Sequence, residues 1–347
     1  MLFRVITKEA FRKFVNTLLS EIEIIAPRKV ATDYTGRSIY HYLPVDRFED
    51  VALDYDTTRF SAKTYFTPFK ENLASYSFQN GDWTQSIRYR GVTRLILGLH
   101  ACDINALLKL DKVMARGPFP SPHYIARRKN TLIIGIDHDP CAGGFCRSLG
   151  TDTVTHGFDL FLTDLGDRYF VAIDSDRGFS MLQEVENTEV TEDDRVEYSA
   201  VRRRIAKGFT THVETHNLPN ILDIEFESPV WAKWGAKCLS CGTCAMVCPT
   251  CYCYGVSQEF SMDFASARKN KQLYSCNLYD FARVAGDHNF RARTSTRLKY
   301  RYYHQHRGFV ETYNEPMCVG CNRCGNACLA GISPPEVIAD LHMEEKA

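Results

Sequence analysis

Two stretches decide how this chain folds: Cys238-Leu-Ser-Cys241-Gly-Thr-Cys244-Ala-Met-Val-Cys248-Pro249 and Cys318-Val-Gly-Cys321-Asn-Arg-Cys324-Gly-Asn-Ala-Cys328-Leu329. Each has the form Cys-x2-Cys-x2-Cys-x3-Cys, the spacing with which bacterial ferredoxins hold a [4Fe-4S] cluster. Three thiolates on one short loop reach three irons on one side of a cube. The fourth cysteine opens a helix that points away, so it serves the other cluster. The expected ligand sets are Cys238, Cys241, Cys244 and Cys328 for the first cluster, and Cys318, Cys321, Cys324 and Cys248 for the second. Zinc explains these runs less well, because two Cys-x2-Cys pairs across a longer loop already satisfy it. Disulfides would require an oxidising compartment.

Working outward, 347 residues suffice for two domains with a full core. The 44% hydrophobic and 24% charged content is that of an ordinary globular protein. A net charge of zero gives no electrostatic reason to expect a nucleic-acid or anionic-membrane partner. The first residues mix charges into their apolar positions, unlike a signal peptide, and no window is long and apolar enough to span a bilayer. Fourteen cysteines without a secretion signal predict a reducing, cytoplasmic setting.

Phe11, Phe14, Val15, Leu18 and Leu19 recur at helical spacing over residues 8–20. Residues 27–83 read as short strands and loops, with Pro44 and Pro68 as breaks. Val92–Leu99 and Thr131–Ile136 are continuous apolar runs and predict buried strands, the first followed by a helix from Ile104 capped by Asp103. Two strands that each lead into a cysteine-bearing loop suggest a sheet whose working edge lies at the strands' C-terminal ends. Phe158–Asp164 and Tyr169–Ile173 predict a hairpin. Thr191 opens a helix to Gly208 with its acids first and bases last. Asn217–Glu227 reads as a linker. A short helix with Trp231 and Trp234 then leads into Cys238, where the indoles either cover the first cluster or make plain core contacts. The basic and aromatic stretch from Asp280 to His304 fits local compensation of anionic clusters better than binding of single-stranded nucleic acid.

Six cysteines fall outside the runs: Cys102, Cys141, Cys146, Cys251, Cys253 and Cys276. Singly, each reads as a buried small hydrophobe. Together, Cys102, Cys146, Cys251, Cys253 and Cys276 raise a third iron-sulfur cluster, or a redox-active thiol site, at the seam between domains. His288 is the best lone proton-donor candidate, against the plainer reading of a hydrogen-bonded core histidine.

Ala101-Cys-Asp-Ile-Asn-Ala, Phe145-Cys-Arg-Ser-Leu-Gly-Thr151, Phe158–Val171, Trp231–Cys253, the run Asp280-Phe-Ala-Arg-Val-Ala-Gly-Asp-His-Asn-Phe-Arg291 and Cys318–Ile332 resemble one dicluster iron-sulfur family. It includes the beta subunit of soluble sulfhydrogenases and the dicluster iron-sulfur component of anaerobic sulfite reductase. Two departures stand out: Leu329 replaces the usual proline after the last cysteine, and Gly144 occupies a position where a further cysteine is expected. The resemblance implies an electron-transfer subunit. Its partners would be an FAD- and NAD(P)H-binding flavoprotein and the catalytic subunits of a [NiFe] hydrogenase or a siroheme sulfite reductase.

Three functions compete. A relay subunit has no substrate of its own; a catalytic subunit would reduce a sulfur compound at a third cysteine-ligated redox site; a sensor would carry structural clusters. The relay is favoured, because each run supplies four cysteines and leaves no open iron. The expected architecture is an α/β (α+β) N-terminal domain over residues 1–228. A dicluster ferredoxin-like domain over 229–347 follows, with a helical insertion at 254–316.

Overall fold

The computed structural model describes residues 2–89 and 91–344. Its strands are β1 (Leu2–Thr7), β2 (Glu23–Thr32), β3 (Ser38–Val45), β4 (Lys70–Gln79), β5 (Asp82–Ser86), β6 (Arg94–Leu99), β7 (Thr131–Ile136), β8 (Leu160–Asp164), β9 (Arg168–Ile173), β10 (Tyr254–Phe260) and β11 (Ser266–Leu273). The helices of the first half are α1 (Lys8–Leu19), α2 (Ala101–Met114), α3 (Pro122–Lys129), α4 (Asp176–Gln183) and α5 (Glu192–Gly208). Those of the second half are α6 (Leu218–Ile224), α7 (Val230–Lys237), α8 (Thr243–Val247), α9 (Thr294–Tyr303), α10 (Phe309–Tyr313), α11 (Arg323–Asn326) and α12 (Pro334–Glu344).

Seven strands form one sheet in the order β1-β9-β8-β7-β6-β2-β3. Its centre, from β2 through β6 and β7 to β8, is parallel. The predicted β8–β9 hairpin forms with Leu160 opposite Ile173. β6 and β7 are apolar after their first residues, Arg94 and Thr131, because both their faces are covered. Leu95 and Leu97 join Phe11, Phe14 and Val15 of α1 on one side, while Ile96 and Leu99 join Ile104, Leu107 and Leu110 of α2 on the other.

Several local expectations need correction. Asp103 does not cap α2: His100 is the cap residue, and Asp103 lies one turn in, paired with Arg323. Pro44 breaks nothing, because β3 is an edge strand and can spare an amide. The expected linker is α6, whose Leu218, Ile221 and Leu222 are buried with Trp231 and Trp234. The insertion expected to be helical opens as the hairpin β10–β11, and β11 pairs with β4 to give a second sheet, β10-β11-β4-β5. A polar, charged hairpin has no apolar periodicity to announce it, and its partner strand lies far away in sequence.

The second cysteine run sits on the C-terminal edge of the large sheet. A bulge at Gly98, φ +80°, ends the regular part of β6 before His100 and Cys102. Phe145 N donates to Gly320 O at 2.7 Å and Thr151 Oγ1 to Val319 O at 2.7 Å, both from the loop after β7. Arg323 clamps Asp103 through two bonds of 2.8 and 2.7 Å, with both side chains 2% exposed.

Candidate functional site

The two cysteine runs fold alike. Ser240 and Gly242 in the first run, and Gly320 and Asn322 in the second, hold left-handed backbone at corresponding positions on either side of the second cysteine. The turn folds back on its own sulfur: Ser240 N donates to Cys238 Sγ and Gly320 N to Cys318 Sγ, each at 3.4 Å. Amides turned toward one concavity make a seat for an anion. Only the second run requires glycine at this place, because a Cβ on Gly320 would lie 2.6 Å from the Phe145 carbonyl carbon.

Each loop leads into a short helix, α8 or α11, and the two runs enclose two cavities. Cys238, Cys241, Cys244 and Cys328 line the first, with Leu298, Ile332 and Asn277. Cys318, Cys321, Cys324 and Cys248 line the second, with Phe145, Val319 and His306. The fourth cysteines are thus exchanged between the runs, and Cys324 also borders the first cavity. Arg301 and Tyr302, consecutive on α9, border both.

The electrostatics of the cavities point to an anionic occupant. Burial pushes the thiols up, Cys244 to about 11 and Cys318 to about 12. Binding a metal must therefore displace protons from them. Cys241, the exposed member, is lowered by the Thr243 hydroxyl beside it. Arg301 is 7% exposed and Lys63 is 2% exposed. Among the described residues neither meets a carboxylate: Arg301 Nη1 donates to Cys251 Sγ at 3.2 Å, and Lys63 Nζ to Cys251 O at 2.8 Å. Burial lowers Lys63, with the Arg301 charge adding to the fall and the surrounding thiols, Cys251 first, only partly opposing it. Asn277 Oδ1 and His306 Nδ1 are buried without partners beside the cavities. An unpaired buried charge costs several kcal/mol, so the thiol-lined walls with their shared Arg301 guanidinium fit cysteine-ligated iron-sulfur cubes, which are net negative.

The remaining cysteines divide into separate groups. Cys146 and Cys102 pack together with Cys321, and Cys141 Sγ donates to Cys321 O at 3.3 Å. A Cβ on Gly144 would lie 2.8 Å from Cys141 Sγ, so a cysteine there would crowd this group. Cys251 packs with Cys248, and Cys253 O accepts from Tyr274 N at 2.9 Å two residues before Cys276. Among the described residues Cys102 and Cys146 pack in one apolar cluster with Cys321, and Cys251 in a separate one with Cys248. His288 is neither buried nor at a cavity; it is exposed against Phe290. Trp231 and Trp234 are core residues whose indole N–H groups bond Glu225 O and Asp340 Oδ2, each packed in the cluster that also touches Cys238 and Cys328.

Lys63, Arg323 and Gln305, whose Nε2 donates to Cys251 Sγ at 3.4 Å, escaped sequence reasoning. Lys63 reaches the site from the segment before β4, and no local pattern distinguishes it from a surface lysine. Arg301 lies within the basic stretch that reads as cluster compensation, although nothing singles it out there.

Residues 237–332 match the family described as 4Fe-4S dicluster domain. Over 340 residues, 96% of each chain, the sequence is 34% identical to the protein named sulfhydrogenase 2 subunit beta of Pyrococcus furiosus. No solved structure matches.

Proposed function

The chain belongs to the sulfhydrogenase beta-subunit family of dicluster iron-sulfur proteins, and we propose that it is a cytoplasmic relay between an NAD(P)H-oxidising flavoprotein and a terminal redox enzyme, a [NiFe] hydrogenase. Cys238, Cys241, Cys244 and Cys328 hold one [4Fe-4S] cluster; Cys318, Cys321, Cys324 and Cys248 hold the other. When bound, such clusters take up and release single electrons at potentials set by charge, hydrogen bonds to sulfur and exposure. One observation carries the reading: eight cysteines line two cavities that share the buried, carboxylate-free guanidinium of Arg301.

The protein's part is electrostatic and steric. Arg301 and Lys63 hold positive charge where anions are buried. The amides of Ser240 and Gly320 donate to sulfur, and Asn277 Nδ2 donates to Cys244 Sγ at 3.2 Å. Leu298, Tyr302, Val319 and Ile332 keep water from the walls. No described helix is long and apolar enough to cross a membrane.

Iron and labile sulfide on anaerobically purified chain, with an EPR spectrum after dithionite reduction, test the reading. About eight irons and two coupled spectra are expected; about twelve would add a third cluster, with Cys102 and Cys146 as its first candidates. The isolated chain should exchange electrons with viologen dyes and turn over neither NAD(P)H nor hydrogen. Steady reduction of a sulfur compound by it would instead favour the catalytic reading.

A further inference from the structure

Arg301 has a neighbour of the same kind one helical turn back. Arg297 lies four residues earlier on α9 and is 4% exposed. All five of its N–H groups are engaged: Nε donates to Asn277 O at 3.0 Å, Nη1 to Arg291 O and Ala292 O at 2.8 and 2.7 Å, and Nη2 to Ser240 Oγ and Thr294 Oγ1 at 2.9 and 3.3 Å. These acceptors are carbonyls and hydroxyls, and among the described residues the guanidinium meets no carboxylate. Its charge is therefore uncompensated. Two of its partners also serve the first cavity: Ser240 N donates to Cys238 Sγ, and Asn277 Nδ2 donates to Cys244 Sγ. The next residue, Leu298, lines that cavity. One buried side chain thus holds two groups that donate to sulfurs of the first run.

The second run is supported differently. Gly320 stands at the position of Ser240 and has no side chain to be held. The buried arginine of that run, Arg323, is neutralised by Asp103 at 2.8 and 2.7 Å. The uncompensated cation on that side is Lys63, from another segment, bonded to Cys251, which packs with Cys248. None of the five acceptors of Arg297 belongs to the lining of the second cavity. We propose that Arg297 is a positioning residue for the first cluster: it fixes the Ser240 and Asn277 donors against Cys238 and Cys244, and its charge selectively raises the reduction potential of the cluster held there. The inference rests on the relay reading, since it concerns the same two cysteine sets. Reduction adds negative charge, so a nearby cation and N–H donors to sulfur favour the reduced state. Coulomb energy falls with distance, so a group tied to one run acts mainly on that run. Arg297 therefore draws electrons toward the first cluster, on the side where Cys241 is exposed.

The test is an EPR-monitored redox titration of the iron-loaded full-length protein, with iron and labile sulfide counted in every sample. Two marker variants assign the midpoints: Thr243→Val, beside Cys241, moves that of the first cluster, and Thr250→Val, beside Cys248, moves that of the second. Arg297→Gln should lower the first midpoint alone, its reduction constant falling about tenfold, which is about 59 mV for one electron. Arg297→Lys, which keeps the charge and loses the planar fork, should recover part of that fall. Ser240→Ala, which keeps Arg297 and removes one acceptor, should lower the same midpoint by less, and it carries the test if Arg297→Gln does not fold. Equal movement of both midpoints, movement of the second alone, or no movement in these variants overturns the inference. Wild-type protein without two clusters overturns the relay and this inference together, whereas two clusters with an unmoved first midpoint overturn this inference alone.

Discussion

The large sheet and the cysteine cavities bury charge in opposite ways. Around the sheet, every prominent buried ion has a partner: Arg323 with Asp103 at 2.7 Å, Arg128 with Asp111 at 3.1 Å, and Arg177 with Asp159 at 3.1 Å. Arg301, which borders both cavities, and Lys63 beside Cys251 are deeply buried, and among the described residues they meet only sulfur and a backbone carbonyl. The first region is electrically complete as polypeptide. The second, which among the described residues offers these cations no carboxylate, needs an anion from elsewhere. A charge left buried and alone costs several kcal/mol, far more than a paired one. One fold thus contains a part that stands by itself and a part whose stability is tied to its cofactor.

The largest effect expected from this contrast comes from stripping the iron with a chelator. Residues 238–332 should lose protection by about 4 kcal/mol, read by hydrogen exchange, while β6–β9 change little. Equal loss in both regions would erase the distinction. Next, Asp103→Ala leaves Arg323 buried without its partner and should cost about 3–5 kcal/mol in denaturant titrations, with or without iron. A double change, Asp103→Leu with Arg323→Met, should recover much of that loss.

Arg301→Met sharpens the comparison by reversing sign. In the loaded protein it removes the positive charge shared by both cavities, so each reduction potential should fall, by roughly 60 mV, in an EPR-monitored redox titration. In the iron-free protein it removes an uncompensated ion, so the thermal midpoint should rise. A drop in both states would mean that Arg301 is paired as thoroughly as Arg323.

The smallest effect lies on the self-sufficient side. Thr191 and Asp194 form a reciprocal cap on α5, so Thr191→Ala should cost about 1 kcal/mol. Burial works to raise the Asp194 carboxyl, but the Thr191 hydroxyl and amide and the Arg168 guanidinium overcome it and hold the group below the usual carboxylate range. Its contribution is therefore present above an unfolded value of about 4 and is lost as pH falls through the lower folded value. Acid titration of Thr191→Ala should show a weaker pH dependence than the parent.

The parts of the molecule legible in the sequence share one property: their determinants are local. The alternation of Leu95 and Ile96 between two cores, the α1 stripe and the capped start of α5 all lie within a single element, and each is readable to within a few residues. The same holds for the loops of the cysteine runs, where matched spacing sets matched backbone turns at Ser240 and Gly320. Asn217–Glu227 reads wrongly as a linker because its three core residues, Leu218, Ile221 and Leu222, are too few to announce a helix. The β10–β11 hairpin escapes the sequence because strands such as Ser266–Leu273, rich in lysine, are stabilised by pairing with a strand formed far earlier in the chain.

What the sequence determined by itself is the chemistry: the number and spacing of thiols, and hence the kind of cofactor they suit, because ligand spacing is a local covalent property. What only the tertiary structure decided is the electrostatic setting and the sorting of the other cysteines. Lys63 and Arg301 converge on Cys251 from opposite ends of the chain, and Cys102 finds Cys146 across a sheet edge. Coulomb energy depends on distance and burial in space, and neither is written in the order of residues.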